Sequence, residues 1–286
     1  MIVLELEKLP PRLRAIHDPP ARLYLRGGGE RELLARPAVA IVGARVCSPY
    51  GVQVARMLGR DLAGAGVVVV SGLARGIDGE AHRGALDAGG HTVAVLGCGI
   101  DRDYPAAHAS LARAIAARSL LVSEYEPGVD PSPWRFPARN RIIAGLCAAT
   151  VVVEAREKSG ALITADFALD EGREVFAVPG EITSSLSAGT NALLKLGATP
   201  LTAVDDVLEA LGITPKPAER PTHPFLELMP ATADELVRAT GASPGEVAAA
   251  LAELELSGLA VEGDGVYRAL APVGSRGWQR DRGCGR

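Results

Sequence analysis

VVVVSGLARGID, residues 67–78, is the stretch on which the fold turns. Four valines and a serine follow one another without polar alternation, so a strand built from 67–71 is buried on both faces. The glycines at 72 and 76 then punctuate a turn that carries Arg75 toward a helical pattern beginning near Asp78. A strand with two buried faces needs helices above and below it. The same grammar recurs along the chain. Apolar, β-branched runs at 39–43, 92–97, 120–123, 150–154, 174–178 and 199–202 alternate with Ala- and Leu-rich segments of helical length. Those segments are long enough to cross between parallel strands, so residues 37–212 are predicted to form an α/β domain with a doubly wound parallel sheet.

Composition sets the outer bounds. With 286 residues, 48% hydrophobic and 22% charged, the chain has material for one large domain and one small one. The amino terminus carries Glu5 and Glu7 where a secretion signal has positive charge, and no run of about eighteen apolar residues exists, so a cytoplasmic protein without a membrane span is expected. Cys47, Cys98, Cys147 and Cys284 show no CxxC spacing, which speaks against a zinc site and against a disulfide framework. The net charge of −4 does not draw a polyanion to the whole molecule, so any nucleic-acid site has to be a local basic patch.

Residues 1–36 read as a short lead-in. The Pro-rich stretch 213–224, ITPKPAERPTHP, reads as a linker. Residues 225–271 then show helix (232–240), a Gly-Ala-Ser-Pro turn, helix (244–257) and two short strands (259–262 and 265–269) around Gly263-Asp264, the order of a winged helix. Residues 272–286, rich in Gly and Arg, read as a disordered basic tail.

In an open parallel sheet, ligands bind beyond the carboxyl ends of the strands where strand order reverses. The informative loops are Gly43-Ala44-Arg45, Ser71 to Asp78, Gly97-Cys98-Gly99, Glu154 to Gly160, and Pro179-Gly180. Glycine lets backbone N–H groups approach a ligand and a helix start favours anions, so with Arg45 and Arg75 these loops suit phosphates; each glycine could equally serve only its own tight turn. G-x-G-x-x-G is absent after the first strand of the domain and G-x-x-x-x-G-K-[ST] is absent throughout, so neither NAD nor NTP, nor any other cofactor, is expected. Asp78 reads best as a helix N-cap and His82 as a core residue. The second informative stretch is Trp134-Arg135-Phe136-Pro137-Ala138-Arg139-Asn140-Arg141, three arginines and two aromatics with no acid, the combination that binds phosphates and stacks on unpaired bases. The competing reading is a solvated basic helix start with its aromatics packed inward.

IVGAR (41–45), SGLARGID (71–78), FPARNRIIAGL (136–146), VVVEAREKSGALITA (151–165), FAVPGEI (176–182) and GTNALLKLGA (189–198) fall in an order that resembles the DprA/Smf DNA-processing proteins of bacteria. The resemblance spans the whole α/β domain. It implies a Rossmann-like domain that binds single-stranded DNA, forms a homodimer and helps load RecA recombinase in natural transformation, followed by a winged-helix-like domain, with no catalytic activity. Carried onto this chain, the DNA pocket it implies involves Arg45, Ser71, Gly72, Arg75, Gly76, Arg139, Asn140, Arg141, Lys158, Ser159, Gly160 and Thr164. Two positions depart from the family pattern: Ala44 stands where Thr is frequent and Ala161 where Ser is usual, each removing a hydroxyl. The helical domain that precedes the Rossmann-like unit in many members has no counterpart in residues 1–36.

Two rival readings stay in view. Glycine-rich parallel sheets with PG and GTN loops also resemble the lysine-decarboxylase-like phosphoribohydrolases, but Pro179-Gly180 is followed by EITSSLSAGTN without the PGG-x-G-T-x-x-E run. A duplex-DNA regulator would read through PGEVAAALAELELS (244–257), whose only charges are Glu246, Glu253 and Glu255. Phosphate contacts supply most DNA affinity, so that helix is a poor groove reader. Deleting 225–286 is therefore expected to leave affinity for a single-stranded oligonucleotide largely intact; a loss in a binding titration as deep as that of pocket variants would make the winged helix a principal surface.

Overall fold

A computed structural model of the chain describes residues 1–214, 223–256, 259–263 and 265–269. Most of the 213–224 linker and all of the 272–286 tail lie outside the described residues. The chain divides into two compact units, Met1–Pro215 and Lys216–Arg286.

In the first unit the strands are β1 (Ile2–Glu5), β2 (Arg22–Arg26), β3 (Ala38–Val42), β4 (Val68–Ser71), β5 (Thr92–Val95), β6 (Leu120–Ser123), β7 (Ala149–Val152), β8 (Glu174–Ala177) and β9 (Thr199–Pro200). The helices are α1 (Pro11–Arg14), α2 (Pro49–Gly64), α3 (Ile77–Asp87), α4 (Ala109–Arg118), α5 (Arg135–Leu146), α6 (Gly160–Asp170), α7 (Ala188–Lys195) and α8 (Val204–Ala210). One sheet runs in the order β1-β2-β6-β5-β4-β3-β7-β8-β9. From β6 to β9 every pair is parallel. The unbroken apolar runs are explained by the two layers they serve. Ala38, Ala40 and Val42 of β3 and Val68 and Val70 of β4 face one core; Val39, Ile41 and Val69 face the other. Each face is covered by helices, so these strands are apolar on both sides apart from Ser71 at the carboxyl end of β4.

The first 36 residues differ from the lead-in reading, because they add two antiparallel strands to the parallel sheet of residues 37–212. β1 pairs antiparallel with β2, which pairs antiparallel with β6, setting Leu25 opposite Val122. Leu4, Leu13, Ile16, Leu23 and Leu25 are buried in the same core as Ile142 and Ile143 of α5. The alternation in RLYLR (22–26) was the available signal: period two with one face buried is how an edge-side antiparallel strand reads.

The second unit contains α9 (Pro224–Leu228), α10 (Ala233–Thr240), α11 (Pro244–Leu256) and the hairpin β10 (Ala260–Gly263) with β11 (Val266–Ala269). It is a winged helix with its own core of Phe225, Leu236, Val247, Leu251, Leu254 and Ala260. Thr232 and Glu235 close a capping box at the start of α10, and Gly241 ends that helix in the left-handed region. Glu246 and Glu255 of α11 are exposed.

His82 lies fully buried on α3, as a core residue should. The Thr92 hydroxyl donates to the Val69 carbonyl at 2.7 Å, so it accepts from His82 Nδ1–H at 2.6 Å, and the other ring nitrogen is left without a partner. Burial, reinforced by His108, Arg139 and Arg83, pulls the imidazole pKa down to about 3. The unfolded chain therefore takes up a proton that the folded chain refuses. Stability from this residue is complete above pH 6.5 and is lost as pH falls toward 3, at about 1.4 kcal/mol per pH unit. Urea unfolding at pH 7, 6 and 5 is expected to show a shallower pH dependence in His82→Asn than in the parent chain; parallel curves would exclude this role.

Candidate nucleic-acid interface

The chain leaves β3 in two directions, first outward through β4, β5 and β6 and later through β7, β8 and β9. The loops after β3 and β7 consequently part and leave a crevice at the carboxyl edge of the sheet. Its walls are stitched together by backbone. The Ala44 N–H donates to the Glu154 carbonyl at 2.7 Å, and the Ala44 carbonyl accepts from Ile77 N–H at 3.2 Å. Gly76 passes so close that a Cβ there would collide with the Ala44 carbonyl, and its φ of +76° is a left-handed value. Gly76 thus serves a close crossing of two loops.

The sequence-predicted residues divide into three groups. Arg45 and Arg75 are exposed and have no carboxylate partner among the described residues. Lys158 is likewise exposed, beside Ser159, whose Oγ accepts the Ala161 N–H at 3.3 Å to cap α6. Gly160 faces open space, so its N-terminal turn is accessible. Arg45, Arg75, Lys158 and Gly160 are thus open to solvent.

A second group lines the crevice while bonded within the protein. Arg139 is not the solvent-facing arginine that the motif implied: it is 5% exposed, and its Nη1 donates to the Gly72 carbonyl at 2.9 Å and to the Val95 carbonyl. Burial lowers its pKa to about 10, with Asp78 acting to raise it and Arg45 to lower it. Asp78 is not the N-cap, since Gly76 holds that position without a side chain. It sits in the first turn and accepts the Gly72 N–H at 3.0 Å, with burial pushing its carboxyl upward. Gly72 therefore has both backbone groups committed. Asn140 donates to the Gly160 carbonyl at 3.1 Å and accepts from Arg139 Nε at 3.2 Å, tying α5 to the start of α6. Thr164 is buried but borders the cavity.

The third group lies elsewhere. Ser71 is fully buried, its hydroxyl donating to the Ile41 carbonyl at 2.6 Å across β3 and β4. Arg141 grips Glu124 with two bonds of 2.7 and 2.9 Å and Asp18 with one of 2.9 Å. Both of its acids are far away in sequence, so a local motif gave no sign that the charge would be neutralised.

Two adjoining cavities open at this edge. One, about 210 Å³, is bordered by Gly43, Arg45, Phe136, Asn140, Ser159 and Thr164. The other, about 250 Å³, is bordered by Arg45, Arg75, Tyr104, Phe136 and Arg139. Phe136 and Arg45 belong to both, with the Arg45 guanidinium 5.6 Å above the ring and Tyr104 stacked on it at 5.4 Å and 21°. Tyr104 was missed in the sequence: DRDYPAAH (101–108) has neither periodicity nor motif, and only the fold carries it to Phe136.

The start of α2, where a dinucleotide fold would hold a pyrophosphate, is filled from within. The Glu154 carboxylate accepts from Ser48 N–H at 2.9 Å and from the Ser48 hydroxyl, so close to Gly51 that a Cβ there would collide with it. The PG and GTN loops are braced to each other, since the Asn191 amide donates to the Gly180 carbonyl and accepts its N–H at 3.1 and 3.3 Å. Among the described residues no group of three His, Cys, Asp or Glu is placed to hold a metal.

The family model described as DNA recombination-mediator protein A matches residues 1–212, and that of the DprA winged helix domain matches residues 217–265. The chain belongs to the DprA/Smf family. It is 46% identical over 199 residues to DNA processing protein DprA of Streptococcus pneumoniae, covering 70% of each. It is 39% identical over 290 residues to Protein Smf of Escherichia coli, covering 94% of this chain and 77% of Smf. The crystal structure of S. pneumoniae DprA superposes with a TM-score of 0.70 at 44% identity over 73% of both chains. Helicobacter pylori DprA, whose structure is described as showing a single-stranded DNA binding mode, superposes with a TM-score of 0.66 at 34% identity, over 73% of this chain and 95% of that one.

The arginines should separate by their effects on this DprA/Smf fold. Arg139→Ala, which strands the Gly72 and Val95 carbonyls, is expected to cost about 2–5 kcal/mol, and Arg141→Ala, which leaves Glu124 half-buried and unpaired, a similar amount. Arg45→Ala and Arg75→Ala should unfold within about 0.5 kcal/mol of the parent. Thermal and urea unfolding of the four variants checks this, and an unaltered Arg139→Ala would refute its bracing role.

Proposed function

We propose that the crevice binds single-stranded DNA and that the chain is a binding protein of recombination and natural transformation rather than an enzyme. The observation that carries this reading is the stack of Arg45 on Phe136 on Tyr104 at the boundary of two cavities. A flat aromatic face beside an unpaired guanidinium accommodates a base and its phosphate without selecting the base, as non-specific strand binding requires. Arg45, Arg75 and Lys158 take the phosphates. Tyr104, the exposed end of the stack, takes a base, and Asn140, Ser159 and Thr164 supply the polar lining. The rigid part of the site is internal: Arg139, Asp78 and Gly72 hold the loops in place so that little ordering is needed on binding. The single-stranded DNA in the described H. pylori relative supports the polymer class.

The reading extends to partners. A homodimer, with RecA recombinase loaded onto the bound strand in the cytoplasm, fits the family membership; light scattering and a RecA filament-assembly assay test those two steps. Among the described residues no helix is long and apolar enough to cross a membrane. The phosphoribohydrolase alternative needs a glutamate poised over a sugar, whereas the buried Glu154 is engaged with Ser48 and the PG loop with Asn191.

A salt titration with single- and double-stranded oligonucleotides of equal length tests the site. The single strand is expected to bind more tightly. Arg45→Ala and Arg75→Ala should each weaken binding and reduce the slope of log K against log salt by about 0.7. Equal affinity for the two polymers, or unchanged slopes in both variants, would defeat the proposal, and nucleoside-monophosphate turnover would favour the enzyme.

A further inference from the structure

Trp134 is the most exposed aromatic side chain among the described residues, at 62%, and lines neither crevice cavity. Burying an indole is worth so much that leaving one in water calls for a reason. The ring is nevertheless held. Tyr125 meets it edge-on at 6.5 Å and 88°, and the Arg135 guanidinium lies 5.0 Å from the centroids of both rings. Arg135 is itself fixed by donating to the Asp130 carbonyl, and its Nε is buried without a partner. The nearby Asp130 carboxylate is paired with Arg102 at 3.2 Å, which offsets its repulsion of an incoming phosphate. The result is a supported indole beside a cation. Its position is also informative: Arg135 alone separates Trp134 from Phe136, so their Cα atoms are within about 7 Å of each other.

We propose that Trp134, held by Tyr125 and Arg135, is a second base-stacking platform that takes a nucleobase of single-stranded DNA just outside the crevice. This inference rests on the crevice being the strand site, and it lengthens the path by a subsite that depends on stacking. Stacking tolerates every base, so the platform adds affinity and footprint without sequence preference. It also divides labour along the strand, with phosphate attraction at Arg45 and Arg75 and ring contact at Trp134.

Trp134 and Trp278 are the two tryptophans of the chain, so Trp278→Phe in the full-length protein isolates the indole in question. Oligothymidylate is titrated while indole emission and, separately, the anisotropy of an end-labelled oligothymidylate are followed. Emission should be quenched in step with the anisotropy rise. Trp134→Ala should weaken binding by about 5- to 150-fold with the salt slope and melting temperature unchanged, while Trp134→Phe keeps most of the affinity. Unquenched emission together with parental affinity in Trp134→Ala would overturn the proposal, and would leave the crevice reading standing if Arg45→Ala still flattens the salt slope. A loss of affinity in Trp134→Ala accompanied by a lowered melting temperature would assign the ring to structure and overturn it as well. Absence of any anisotropy change would overturn both readings together.

Discussion

The hydrogen bonds from the buried Arg139 guanidinium to the carbonyls of Gly72 and Val95 are the constraint on which the carboxyl edge of the sheet depends. They fasten α5 to the ends of β4 and β5, and through Asn140 to the first residue of α6. A cation taken from water must be repaid by geometry, and here the repayment is two backbone acceptors, an amide oxygen and the field of Asp78. Because those partners sit at the ends of β4 and β5 and on α3, the guanidinium ties these elements to α5. Phe136, one turn before Arg139 on α5, is carried to its place between the cavities by the same anchor.

This arrangement reconciles an acidic protein with a polyanion. Arginines near the crevice are sorted by their neighbours: Arg141 is neutralised by Glu124 and Asp18, Arg139 is spent on carbonyls, and Arg45 and Arg75 keep their charge facing outward. The Glu154 carboxylate, just beyond β7, is engaged with Ser48 at the start of α2. The unpaired guanidinium groups of Arg45 and Arg75 thus stand at the carboxyl edge of the sheet. The same Glu154 occupies the start of α2. One side chain thus takes up the N–H and hydroxyl of Ser48 at the start of this crossover helix, the place where a dinucleotide fold holds its pyrophosphate.

The architecture was legible in the sequence because it rests on local periodicity. Continuous apolar runs such as VVVV (67–70) are required wherever a strand is covered on both faces, and the helix-turn-helix and hairpin of the second unit announce themselves through Thr232, Gly241 and Ser243 at their ends. The placement of residues 1–36 was less legible. A single alternating strand such as RLYLR does not say which sheet it joins, and its partner β6 lies about a hundred residues away.

The sequence by itself determined the fold class, the family motifs and the stretch in which the arginines and aromatics of the site lie. Which arginine is free and which is a brace was decided only by tertiary structure. Arg139 and Arg141 are two residues apart on one helix and look alike in the motif, yet one meets carbonyls 67 and 44 residues away and the other an acid 123 residues away. Tyr104 is stacked on Phe136, and the Ser71 hydroxyl is turned onto the Ile41 carbonyl, for the same reason. Hydrophobic burial is read along the chain, whereas a charge or a ring acquires its role from whatever the fold brings within about 3–6 Å of it, and that distance is not encoded in any local pattern.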